Sequence, residues 1–366
     1  MPSKTRIKAV LAALIAAFCI SVLGPGAALA HDEGGGVDLT HLPLGDGKIS
    51  TAPERGHIWA CRVDPGAGGA FRDGPWIDKA SGTYDFTKKA VVSGHVTWNG
   101  RYAMRLQGNR RVFSTNDLPD HPTGMFPISP QDEAYKYDRN PNAIQGQDFK
   151  VELPANPRPA AAATCAPGAV GILITGAVLF NALDAPGRDA VAHETQDACQ
   201  GHPQASGAYH YHSITTCVDD KRLPGGHSAL VGYALDGFGI FGRFGEGGKL
   251  LASADLDECH GHVHAIPWEG RTVVMYHYHA TWDFPYTVGC MRGAWRMEDV
   301  RTISGPPPRG GPPGGREPDL AGAAARLGVT ESALKAALGP PPPDLAATAA
   351  KLGVDEAALK NALGAP

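Results

Sequence analysis

The fold class predicted for this chain is mainly β: two similar β half-units related by pseudo-two-fold symmetry, followed by a C-terminal pair of short helical repeats. Three observations carry that expectation. Gly 47 and Pro 31 together make about a fifth of the 366 residues, which suits turns and short strands better than a helical bundle. Residues 57–303 hold short β-branched or aromatic runs bounded by glycine, with no long helical periodicity. Within that stretch one series of motifs occurs twice in the same order, its first members at an offset of 60 or 61 residues.

Taken in order, residues 1–30 read as a signal peptide. Lys4, Arg6 and Lys8 form a basic start, residues 9–23 are apolar, and Ala28-Leu29-Ala30 is a cleavage signal before His31. Cys19 lies inside the apolar run behind Phe18, a poor site for lipidation. The protein is therefore expected to be secreted or periplasmic, and no later stretch reaches the ~18 apolar residues of a membrane span. The formal charge is −4, and removing the three basic residues of the signal segment leaves −7, which argues against a nucleic-acid partner. Residues 31–56 read as a flexible N-terminal segment. Gly34, Gly35 and Gly36 make a mobile start that counts against copper chelation by His31.

Residues 57–304 read as one β domain, with repeat halves at about 168–217 and 229–293. Strands are expected within 57–63, 91–98, 104–113, 172–180, 231–241 and 273–278. Residues 305–318 are a Pro/Gly linker. Residues 319–366 form two 25-residue helical-hairpin repeats: Leu327-Gly328-Val329 recurs as Leu352-Gly353-Val354, and Ala333-Leu334-Lys335 as Ala358-Leu359-Lys360. Gly328 and Gly353 stop the first helix of each unit, and Thr330 and Asp355 cap the second. The pattern is similar to a helix-turn-helix, but export and the absence of basic excess favour a spacer or a module that docks a partner.

The repeat organises the chemistry. Val170-Gly171-Ile172 aligns with Val231-Gly232-Tyr233, Gly176 with Gly237 and Phe180 with Phe241. Asp197-x-Cys199-x-Gly201-His202 aligns with Asp257-x-Cys259-x-Gly261-His262, Tyr209-His210-Tyr211-His212 with Tyr276-His277-Tyr278-His279, and Cys217 with Cys290. Six cysteines remain after export, an even number that reads as disulfides. The internal symmetry predicts Cys199–Cys217 and Cys259–Cys290, leaving Cys61–Cys165.

Side chains alternate across a strand, so each Y-H-Y-H run should turn both histidines to one face and both tyrosines to the other. Neutral imidazoles are ligands for copper or zinc, and three histidines with an open position make a catalytic-type zinc arrangement. The expected metal ligands are His202, His210, His212, His260, His262, His264, His277 and His279, as one pocket if the paired strands are neighbours and as two sites if they are remote. Asp257 or Glu258 is a candidate general base beside such a metal. The acidic stretch Asp184, Asp189, Glu194 and Asp197 fits no calcium-loop spacing and reads as a solvated loop.

The doubled D-x-C-x-G-H and Y-H-Y-H pattern, with Asp236-Gly237-Phe238 leading to Phe241-Gly242 and with Gly289-Cys290-Met291-Arg292-Gly293 closing it, resembles the YHYH-domain family of exported proteins. Tyr135-x-Tyr137-Asp138-Arg139-Asn140-Pro141-Asn142 and Asn116-Asp117-Leu118-Pro119 extend the resemblance over roughly residues 90–300. The family is named for its motif, so the resemblance implies fold and export rather than a reaction. Two functions compete. One is an exported transition-metal protein, with room for a metalloenzyme reaction. The other is a non-enzymatic extracellular module whose Tyr/His strands are only structural. Such a module would bind a small molecule, polymer or protein through residues such as Trp268, Trp282 and Trp295.

Overall fold

The computed structural model describes residues 36–63, 68–218, 220–304, 320–338 and 345–363. The expected signal peptide, His31 and the 305–318 linker lie outside the described residues. The described chain is mainly β, with a few short C-terminal helices.

Its centre is an eight-stranded sheet, whose strands are numbered here in chain order: β1 Ala169–Leu173, β2 Val178–Phe180, β3 Gly201–Pro203, β4 Tyr209–Tyr211, β5 Leu230–Ala234, β6 Gly239–Phe241, β7 Gly261–Trp268 and β8 Arg271–His279. Their order across the sheet is β3-β4-β2-β1-β5-β6-β8-β7. At the middle, β1 and β5 run antiparallel with Gly171 opposite Ala234, Ile172 opposite Tyr233 and Leu173 opposite Gly232. Both glycines are required there. A Cβ on Gly171 would stand 2.5 Å from the Tyr233 carbonyl oxygen, and one on Gly232 would stand 2.8 Å from that of Ile172. Outward from this seam each half makes a tight hairpin, turning at Gly176 or Gly237, both at φ 89°. A left-handed backbone of this kind favours glycine. Each hairpin then pairs parallel with the strand that carries its Y-H-Y-H run, Leu179 opposite Tyr211 and Ile240 opposite Tyr278. The D-x-C-x-G-H segments form the two edges, His202 opposite His210 and His262 opposite His277.

A three-stranded antiparallel sheet (Tyr102–Gln107, Arg110–Thr115 and Phe149–Pro154) packs on the middle of the large one. Phe113 meets Tyr233 with ring centroids 5.3 Å apart, and the buried Arg111 guanidinium lies over Tyr233 and Trp268 and pairs with Glu269. The strand expected at 104–113 is thus a hairpin that turns at Gly108 (φ 60°). The expected 57–63 strand makes only isolated bridges, at Ile58 and Ala60. Two helices went unanticipated, α1 Ala190–His193 and α2 Met297–Ile303; the sequence had given no helical signal before residue 319. A second core joins Leu42, Ile58, Trp76 and Tyr84 to Val191, Phe284 and Tyr286.

The disulfides are Cys61–Cys165, Cys199–Cys217 and Cys259–Cys290, the pairing that the repeat suggests. The C-terminal residues form α3 Leu320–Leu327, α4 Glu331–Leu338, α5 Leu345–Leu352 and α6 Glu356–Leu363. Ala323, Leu334, Ala349 and Leu359 bury one another in a core of their own. Thr330 and Asp355 accept hydrogen bonds from the amides of Ala333 and Ala358, as caps of α4 and α6 do. Among the described residues no helix is long and apolar enough to cross a membrane.

Candidate metal centres

The two edges of the large sheet gather the histidines into two groups, His202, His210 and His212 at one and His227, His262, His264, His277 and His279 at the other. Four strands lie between β4 and β8, so the histidines form two separate sites rather than one pocket.

The local fold explains how each group is held. In each loop an aspartate accepts the amides of the following Cys and Gly: Asp197 from Cys199 (2.9 Å) and Gly201 (3.2 Å), Asp257 from Cys259 (3.0 Å) and Gly261 (2.9 Å). The first tyrosine of each Y-H-Y-H run donates to the same carboxylate, Tyr209 to Asp197 and Tyr276 to Asp257. The second tyrosine donates on that same side, Tyr211 to Thr175 and Tyr278 to Asp236. The tyrosines are therefore structural anchors, and the histidines of the same strands meet on the other side. All three of these bonds to Asp257 fall on Oδ1 of a half-buried side chain, and Glu258 is exposed.

In the first group the ring centroids of His202 and His210 lie 4.5 Å apart, and those of His210 and His212 5.0 Å apart. All three rings are buried. His212 Nδ1 is 2.6 Å from the Asn181 carbonyl. A carbonyl only accepts, so Nδ1 carries the proton and Nε2 offers a lone pair to the centre. Neither nitrogen of His202 has a hydrogen-bond partner.

In the second group Nδ1 of His279 donates to the Gly242 carbonyl (2.6 Å), that of His277 to Met275 (3.1 Å), that of His227 to Ser228 (2.7 Å) and that of His264 to Ala265 (3.0 Å). Four rings thus have their tautomer fixed with Nε2 unprotonated. Nδ1–H on a carbonyl is the outer-shell arrangement that orients metal-bound histidines. His277 Nε2 and His264 Nε2 face each other at 3.1 Å, an opposition of two acceptors when both rings are neutral. Nε2 of His227, His262 and His279 have no partner.

Burial favours the neutral, metal-binding form of His202, His210, His212, His262 and His279, reinforced by neighbouring imidazoles at His202, His210, His262 and His279. It pushes His202, His210 and His279 well below the usual histidine range. His262 and His212 fall to about 4, and for His212 the contact with the Asn181 carbonyl opposes the shift.

Of the eight histidines expected as ligands, seven lie in these groups. His260 stands apart: its backbone is left-handed (φ 74°), and its buried Nε2 meets the Thr281 hydroxyl at 3.1 Å. Gln200, also left-handed at φ 62°, holds the matching place in the other half, which was a signal that this position does not serve a centre. His227 was missed because it belongs to no repeated motif. A third group, His121 with Cys199 and Cys217, offers only one imidazole, because its two sulfurs form a disulfide. The acidic stretch is not solvated: Asp184 pairs with Arg188, Asp189 caps α1, Asp197 anchors its loop, and all are buried with Glu194. Trp268 lies in the core rather than on a contact surface.

Among known families, the model described as YHYH protein matches residues 150–249, which include the first Y-H-Y-H run and end before the second. No curated protein and no solved structure matches the chain.

Proposed function

We propose that this chain, which carries a domain of the YHYH family over residues 150–249, is an exported protein that binds copper or zinc at two histidine centres. The observation that carries the reading is the 3.1 Å approach of His264 Nε2 to His277 Nε2, when each ring has its Nδ1–H on a carbonyl. Two facing lone pairs on neutral rings repel unless a cation lies between them. Ligand atoms around an ion at 2.0–2.1 Å in tetrahedral geometry are about 3.3–3.4 Å apart, close to this separation. Three disulfides accord with an oxidising compartment outside the cytoplasm.

The two centres belong to two half-units related by a pseudo-two-fold axis between Ile172 and Tyr233. Support for that axis comes from the strand order, which matches from either edge when β1, β2, β3 and β4 are exchanged for β5, β6, β7 and β8. The pairings also recur between equivalent residues of the two halves, Leu179 with Tyr211 as Ile240 with Tyr278, and His202 with His210 as His262 with His277. The domain spans 57–304 and takes in part of the preceding segment, since Leu42 and Leu44 are buried in its second core and Asp46 holds His193, so residues 36–56 are not the flexible segment expected; residues 319–366 are an appended module. The test is elemental analysis of untagged protein. Stoichiometric copper or zinc is expected, with one centre lost in His277→Ala and the other in His210→Ala. Well-folded protein that takes up neither metal would favour a purely structural role for the Tyr/His strands.

A further inference from the structure

The two centres differ in one group that the repeat does not supply. Glu194 follows α1 directly, and its buried Oε2 has no hydrogen-bond partner. That oxygen lies 3.4 Å from His202 Nε2 and 3.3 Å from His212 Nε2. We infer that Glu194 is a ligand of the first centre, closing it as a three-imidazole, one-carboxylate site for a divalent cation, whereas the second, all-imidazole centre exchanges its ion with solvent. The inference rests on the proposal that the histidine groups bind metal.

Three arguments lead there. The two distances are too long for charge-assisted hydrogen bonds, about 2.7–2.9 Å. They match the spacing of ligand atoms around one small ion, about 3.3–3.4 Å. His212 Nε2 has no proton to give, because Nδ1 holds it against Asn181, and burial, with Asp184 and Asp138 nearby, pushes the Glu194 carboxyl well above its usual range, so the gap between them calls for a positive charge, a proton or a cation. The position is also firmly built. Asp189 accepts the amides of Val191 and Ala192 at the start of α1, and buried His193 at its end is gripped by Asp46 (2.9 Å) and Asp73 (3.0 Å). Glu194 is thereby held at the histidines by contacts reaching back to the N-terminal segment.

Among the described residues the second centre has no carboxylate set against an Nε2 of its histidines. Ala254 stands at the position matching Glu194. Glu246 reaches only Nδ1 of His264, from an exposed side chain. His262 and His264 are half-buried, so this centre opens to water, while every ligand of the first is buried. A buried carboxylate offsets one positive charge of a divalent ion, and a closed four-ligand shell is the structural type of zinc site.

Full-length protein is loaded with excess Zn(II), desalted, and then dialysed against EDTA, with zinc counted before and after. Wild type should carry about two ions and retain about one. Glu194→Gln should retain none, its first centre weakened by about 100-fold or more, at least the loss typical of outer-shell changes. Retention of the resistant ion by Glu194→Gln overturns the inference, as does loss of both ions from wild type. Wild type that takes up neither zinc nor, loaded in the same way, Cu(II) refutes the underlying metal reading as well. If Glu194→Gln does not fold, the infrared difference between zinc-loaded and zinc-free wild type, labelled with 13C-glutamate, decides. A shifted buried carboxyl band supports ligation, and an unchanged one overturns it.

Discussion

Tyr278 and His277 are adjacent, yet their side chains do opposite work. The Tyr278 hydroxyl donates to buried Asp236 (2.6 Å) and accepts from the half-buried Arg292 amide (2.8 Å), whereas His277 turns to the side where the histidines gather. Tyr278→Phe should therefore destabilise the protein by about 1–3 kcal/mol, the penalty for buried partners left unsatisfied, with zinc content unchanged. His277→Ala should remove the second centre's ion. Chemical denaturation and elemental analysis on the same preparations separate the two effects. This division was legible in the sequence because a strand's period of two assigns faces without further knowledge. Glu194 and His227 were not legible, since they reach the centres from a short helix and a loop that no repeat marks. His260 was misplaced because spacing along the chain does not reveal a left-handed residue.

Among the elements, the seam between β1 and β5 leaves no room for a side chain at its two glycines. Gly171→Ala drives a methyl into the Tyr233 carbonyl, so backbone must move, and overpacking of this kind costs about 1–3 kcal/mol. Gly168→Ala, three residues earlier and with open space around its Cβ position, is the control and should leave the urea midpoint nearly unchanged. Equal midpoints for the two variants would show that the seam relaxes freely. The hairpins of the large sheet were readable because glycine turns interrupt β-branched runs at the same place in both halves. The 102–115 hairpin was hidden because Gly108 is its only interruption. α2 is only seven residues long, too short to build a periodic signal, and Val300 and Ile303 bury it in the main core.

At the scale of the whole molecule, the histidines make the metal-free protein acid-sensitive. Unfolded imidazoles protonate near 6.5, whereas burial holds folded His212 and His262 near 4. Between these limits the unfolded chain binds more protons, so stability is complete above about pH 6.5 and falls as the pH drops towards 4. Denaturation midpoints of zinc-free protein across that range should decline, and the decline should be shallower in His212→Ala. A midpoint independent of pH would contradict it. The order of the eight strands carries a different consequence. From the first edge pair to the last, six interstrand steps separate the centres by roughly 25–30 Å along the sheet. Ions that far apart share no bridging ligand and no exchange coupling. Whatever each does, it does as a mononuclear ion: two copper ions held here would give two independent, superposed magnetic spectra and could not jointly hand two electrons to one bound oxygen molecule.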